Sequence, residues 1–165
     1  MQVRIIDDII GKYYKKTGEI MLKGIPSIIS PELLKIMQEM GHGDTIVLGD
    51  ANYPAASNAK RLVRADGHNM PELLAAILTL LPLDSYAEYQ VGLMQVVPGD
   101  PTVPLIWDIY KDIVSRHEDF DVKYELIERF EYYERSKAAY AIVSTGETAL
   151  YANIILKKGV ISPEN

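Results

Sequence analysis

The stretch "SPELLKIMQEMGHGDTIVLGD", residues 30 to 50, changes its apolar period within a few residues, and this limits the folds open to the chain. Leu33, Leu34, Ile36, Met37 and Met40 recur at helical spacing, behind Ser30 as a cap and Pro31 in the first turn, with Gly41 as a stop. Directly afterwards "TIVLG" is short, β-branched and apolar on both faces, as a central strand covered on two sides requires. A helix followed at once by a doubly buried strand implies layers of helix on sheet.

The remaining chain repeats this alternation. Strands are expected in "RLVRAD", "QVGLMQVV", "VKYELI", "AIVST" and "NIILKKG", and helices in "NMPELLAAILTLLPL", "TVPLIWDIYKDIVSRHE" and "RFEYYERSKAAY". The expectation is a single layered α/β domain with a mixed β-sheet flanked by helices. Asn69 and Glu72 cap the 70–83 helix, which is apolar nearly all round and must be buried inside the domain or against another subunit. Thr102 is the expected cap of the next helix. Residues 1–20 read as an N-terminal extension that either packs on the body or leaves it, followed by the main domain at 21–165.

A length of 165 residues suits one core, and 17 basic against 23 acidic side chains give a net charge of −6. That balance predicts no nucleic-acid partner, because the overall field weakly repels phosphate. The absence of cysteine excludes disulfides and thiolate chemistry and suits a reducing compartment. No apolar run reaches a membrane-spanning length, so no membrane association is expected and a cytoplasmic location is. Walker A, G-x-G-x-x-G, H-E-x-x-H and G-x-S-x-G motifs are all missing, which leaves acid/base chemistry without metal or cofactor, or ligand binding alone.

His42 stands between two glycines at a helix end. An imidazole is the side chain best suited to give and take a proton near neutral pH; equally, one placed here can cap the last helical carbonyls. Asp50 follows a strand at the end where α/β sheets collect ligand-binding groups, while Asp44, at the other end, suits a turn. In "RFEYYER", Arg129 and Tyr133 share a helical face, with Tyr132 and Arg135 as another pair; exposed tyrosines there serve a sugar face or an oligomer contact. Tyr151 and Asn153 precede the last strand, and Asn153 is either a reader of hydroxyls or a turn residue.

Together, "SPELLKIMQEMGHGD", "GDANYP", "VRADG", "RFEYYER" and "YANIILKKGV" resemble the cytoplasmic sugar mutarotase family that contains L-fucose mutarotase and D-ribose pyranase, over about residues 21 to 161. The first and fourth blocks resemble the fucose branch more closely. The resemblance implies cofactor-free interconversion of the α and β anomers of a free monosaccharide, L-fucose foremost. It carries the acid/base histidine onto His42 and substrate binding onto Asp50, Arg129, Tyr151 and Asn153; ring opening also needs a second proton carrier, for which Tyr133, water and a group from another subunit are the open choices. It also implies a homodecamer of pentameric rings with sites near subunit contacts. Where many relatives have histidine, this chain has Asn52. D-ribose pyranase activity and a non-catalytic sugar-binding module are the competing readings.

Overall fold

A computed structural model of the chain describes residues 22–163. The expected extension at residues 1–20 lies outside the described residues. Eleven elements follow in chain order: α1 (Pro31–Glu39), β1 (Thr45–Gly49), α2 (Ala55–Asn58), β2 (Leu62–Ala65), α3 (Met70–Leu78), β3 (Val91–Met94), α4 (Ile106–Ser115), β4 (Tyr124–Ile127), α5 (Arg129–Ala138), β5 (Ala141–Thr145) and β6 (Ile154–Lys157). Every strand expected from the sequence is present. The short α2 is an addition that four residues with no periodicity do not announce.

Local chemistry sets the helix ends. The Ser30 hydroxyl accepts the Leu33 amide at 3.1 Å, and Asn69 accepts that of Glu72 at 3.4 Å. The third expectation fails: α4 starts after Leu105 without a side-chain cap, because Thr102 spends both its amide and hydroxyl on Asp100 Oδ1, at 2.9 and 2.6 Å. Helix α3 is also shorter than 70–83, ending at Leu78 before Pro82.

The six strands form one mixed sheet in the order β2-β5-β1-β6-β3-β4. β1 and β2 run parallel to β5, and β3 runs parallel to β4, whereas β6 is antiparallel to both β1 and β3. Side chains alternate across the sheet with period two. Ile46, Leu48, Val143, Ile154 and Leu156 join the larger core beneath α1, α3 and α4, while Val47, Ile142 and Ile155 join the smaller one with Tyr53 and Tyr132. The nearly all-apolar α3 buries every residue but Glu72 within the domain, so its composition requires no other subunit.

This strand order decides where chemistry gathers. Inserting β6 against the direction of its neighbours puts its first residues at the edge where β1 and β3 end. Residues after β1, before β6 and after β4 therefore meet at one rim.

Candidate active site

At that rim lies an open cleft of about 230 Å³, lined among others by Asp50, Tyr53, Met94, Asp100, Tyr133, Tyr151 and Asn153. Asp50, only 6% exposed, follows β1 directly. Its amide donates to Asn153 Oδ1 at 2.9 Å, so the residue after one strand and the residue before its antiparallel neighbour hold each other in place. Its carboxylate accepts the Asn52 amide at 2.9 Å. Burial pushes the Asp50 carboxyl above the ordinary carboxylate value, against the opposing pull of the hydrogen bonds from Asn52 and Asn153.

Tyr151 is the one non-glycine residue with positive φ among the described residues, at 56°. Such a backbone costs an aromatic residue about 1–2 kcal/mol and persists only where its surroundings over-determine it. Here Trp107 Nε1 donates to the Tyr151 carbonyl at 2.8 Å, and the Tyr110 hydroxyl donates to the carbonyl of Ala152, also at 2.8 Å. The phenol of Tyr151 donates to Asp100 Oδ2 at 2.6 Å.

Arg129 opens α5, two residues beyond β4. Its Nε is buried without an acceptor among the described residues, while its guanidinium carbon sits 4.7 Å from the Phe130 ring centre and its charge acts on Tyr151. A buried donor lacking an acceptor is costly unless a ligand supplies one. Tyr133, one turn further along α5, lines the cleft, with its ring 5.8 Å from that of Tyr53. Tyr132, read from sequence as half of an exposed pair, is completely buried. The α5 helix turns it towards Tyr53 and away from solvent, with 6.0 Å between ring centres.

His42 lies elsewhere in the protomer. It precedes β1, whereas Asp50 follows it; the five strand residues between them span on the order of 15 Å at ~3.3 Å per residue. Helix α1 ends at Glu39, and the imidazole does not cap it. Instead His42 Nε2 meets Asp84 Oδ1 at 2.9 Å, with the carboxylate buried and the His42 side chain 47% exposed. The neighbouring Asp44 closes the turn, accepting the Gly41 amide at 2.7 Å. Asp50, Arg129, Tyr151, Asn153 and Tyr133 thus gather at one rim, and His42 faces outward from the other.

Sequence reasoning missed Asp84 and Asp100. Each sits in an irregular stretch, 42 and 51 residues from its partner, and only the fold joins them. A larger groove of about 470 Å³, lined by Thr45, Gln90, Lys157, Glu125 and Arg135, is a weaker candidate. Its guanidinium is already engaged, with Arg135 donating to Glu125 at 2.7 and 3.0 Å.

A strand-edge cleft lined by two carboxylates, the Asn153 carboxamide and three tyrosines, with a guanidinium N–H nearby that no group among the described residues accepts, defines an α/β protein suited to read a small, hydroxyl-rich molecule. More narrowly, the chain belongs to the RbsD / FucU transport protein family, whose pattern matches residues 23–161. It is 50% identical over 151 residues to the fucose mutarotase of Danio rerio, covering 88% of this chain and 97% of that protein. It is 49% identical over 140 residues to the L-fucose mutarotase of Actinobacillus pleuropneumoniae serotype 5b (strain L20), covering 85% and 97%. The crystal structure of the fucose mutarotase from Streptococcus pneumoniae in complex with L-fucose superimposes with a TM-score of 0.80 at 57% identity, over 86% of this chain and all of that one.

Proposed function

We infer that this protein is a fucose mutarotase, interconverting the α and β anomers of free L-fucose by acid/base ring opening and reclosure, with no cofactor. The observation that carries the reading is the convergence of Asp50, Tyr151 and Asn153 on one cleft, with the Arg129 guanidinium near enough to act on Tyr151 and its Nε without an acceptor among the described residues. Similarity to fucose mutarotases over most of the chain supplies the sugar.

Mutarotation begins when a proton leaves the anomeric hydroxyl and another reaches the ring oxygen. The bond between the anomeric carbon and the ring oxygen breaks, leaving an aldehyde and a hydroxyl. Rotation of the aldehyde and reversal of both proton transfers gives the other anomer, and no redox step occurs. In this reading Asp50 and Asn153 accept and donate hydrogen bonds with the sugar hydroxyls, and Arg129 stabilises negative charge as it develops on oxygen. The cleft's volume is below the roughly 300–1,000 Å³ usual for enclosed sites, so one protomer leaves the sugar partly uncovered.

The proton carrier of this proposal is His42, supplied by a neighbouring copy of the chain. The outward-facing imidazole supports that arrangement, as does the apolar exposure of Leu150 beside the cleft and of Val103 and Leu105 after Asp100. Family resemblance extends the assembly to pentameric rings paired as a decamer, in the cytoplasm. Fixing the Asp84 bond at Nε2 leaves Nδ1 to face the sugar, directly or through Tyr133 or water.

Exchange NMR on L-fucose tests the reading. Wild type accelerates anomer exchange above buffer, and His42→Ala loses about a hundredfold to ten-thousandfold with its fold intact. Faster exchange of D-ribose ring forms than of L-fucose anomers would favour pyranase activity, and saturable binding without acceleration would favour a binding module. Co-assembling His42→Ala with Asp50→Ala subunits restores activity at interfaces that receive both native residues, about a quarter of them on random mixing. No restoration would sink the shared site.

A further inference from the structure

A helix and a loop hold Tyr151 from opposite ends. Its backbone is fixed from below by α4, through Trp107 at its own carbonyl and Tyr110 at the next. Its phenolic oxygen, at the other end, donates to Asp100 Oδ2 at 2.6 Å and receives the Val97 amide at 3.3 Å. Asp100 is itself prevented from turning. Its Oδ1 takes two hydrogen bonds from Thr102, and its own amide donates to the Val97 carbonyl at 3.0 Å across a bend at Gly99, where φ is 90°. The two carboxylate oxygens therefore have separate duties: one closes the loop, the other holds the tyrosine.

That division has a chemical consequence. A phenol has one proton, and here it is committed to Asp100. The Val97 amide takes one lone pair at 3.3 Å, and the second lone pair is what remains for a molecule in the cleft. A free phenol, by contrast, rotates its proton to suit any neighbour and offers a sugar no fixed polarity. The hydrogen bonds from Thr102 and Tyr151 hold the exposed Asp100 carboxyl below the usual range, so it stays ionised and the arrangement persists across the working pH.

We propose that Asp100 is a positioning residue for sugar recognition, fixing Tyr151 across the cleft as a hydrogen-bond acceptor. This rests on the fucose mutarotase reading above. Asp100 acts through Tyr151, and no proton transfer to the sugar is assigned to it.

The test compares Asp100→Ala, Asp100→Asn, Tyr151→Phe and the Asp100→Ala/Tyr151→Phe double variant, by exchange NMR on L-fucose and by emission of Trp107. Trp107 is the only tryptophan in the sequence and donates directly to the Tyr151 carbonyl, so its emission reports on the tyrosine before any sugar is added. Asp100→Ala is expected to raise KM about tenfold with kcat within about threefold, and to shift Trp107 emission in the free protein. Asp100→Asn, which keeps an acceptor oxygen, recovers most of the loss. The double variant matches Tyr151→Phe alone, because one interaction cannot be lost twice.

Additive losses in the double variant would overturn the proposal, since Asp100 would then act through its loop and Thr102. So would a wild-type KM in Asp100→Ala. A wild type that binds L-fucose without accelerating exchange would defeat the enzymatic reading, and the proposal is then judged on Kd in the same variants. A wild type that does not bind L-fucose defeats both.

Discussion

His42 and Asp84 form a pair across the base of the sheet, Nε2 to Oδ1 at 2.9 Å, with the carboxylate buried and the imidazole half in solvent. Asp84 is held there by its fold position, its amide donating to the Lys157 carbonyl at 3.1 Å beside the start of β1. A carboxylate on one ring nitrogen sets the tautomer and stabilises the imidazolium that forms when the other nitrogen takes a proton.

Asp84→Asn is accordingly expected to lower kcat for L-fucose anomer exchange by about tenfold or more, with KM nearly unchanged. Exchange NMR across a sugar concentration series checks the split. An unaltered kcat would show that His42 needs no orientation.

Asp50 predicts a pH effect. Its carboxyl titrates above the ordinary value of about 3.9 because of burial, and it must be ionised to accept hydroxyl protons. The acid limb of kcat/KM should therefore lie above that of an exposed carboxylate, and Asp50→Asn should lose it along with most activity. For stability the sign is the reverse. The folded state holds this proton more tightly than the unfolded chain, so Asp50 contributes less to stability as pH rises from the ordinary value through the raised one. Urea titrations of wild type and Asp50→Asn at several pH values measure that difference, and identical slopes with pH would contradict it.

Gly49 ends β1, and the ring of Tyr53 lies where its side chain would stand, 2.8 Å from an added Cβ. Gly49→Ala should push Tyr53 outward and distort the cleft wall it shares with Tyr133. About 1–3 kcal/mol of stability should be lost, and KM for L-fucose should rise. Chemical denaturation and exchange kinetics on one preparation check both, and a variant indistinguishable from wild type would show that the ring moves freely.

Tyr132 is fully buried, and its hydroxyl finds no partner among the described residues. Removing an unanswered polar atom relieves a desolvation cost, so Tyr132→Phe should unfold within about 1 kcal/mol of wild type, on the stable side. Tyr110→Phe is the contrast, since that hydroxyl holds the Ala152 carbonyl at 2.8 Å; it should cost about 1 kcal/mol and weaken sugar binding. Thermal unfolding of the two variants side by side separates the cases, and equal shifts would remove the distinction.

Much of this architecture is legible in the sequence because single periods decide it. Ser30 and Asn69 announce their helices, and "TIVLG" has only one plausible environment. Asp50 and Asn153 are identifiable as strand-end residues, but their mutual bond is not, because nothing local says that β6 runs antiparallel beside β1. Thr102 shows the opposite error: a good cap by type, it was claimed by Asp100 two residues earlier. Tyr132 and Tyr133 are adjacent letters with opposite fates, since one turn of α5 buries the first and leaves the second at the cleft. The separation of His42 from Asp50 follows from strand length alone, whereas the Asp84 partner needs the whole sheet.

β6 joins two groups of strands, β2-β5-β1 on one side and β3-β4 on the other, that touch through no other strand in the sheet. Among the described residues it is also the last strand in chain order. Until residue 157 is in place, the two halves have no common spine, and their unpaired inner edges must be kept from strangers. The strand that holds the two halves of the sheet together is thus the same one that carries Asn153 to the rim, so loosening it would undo both at once.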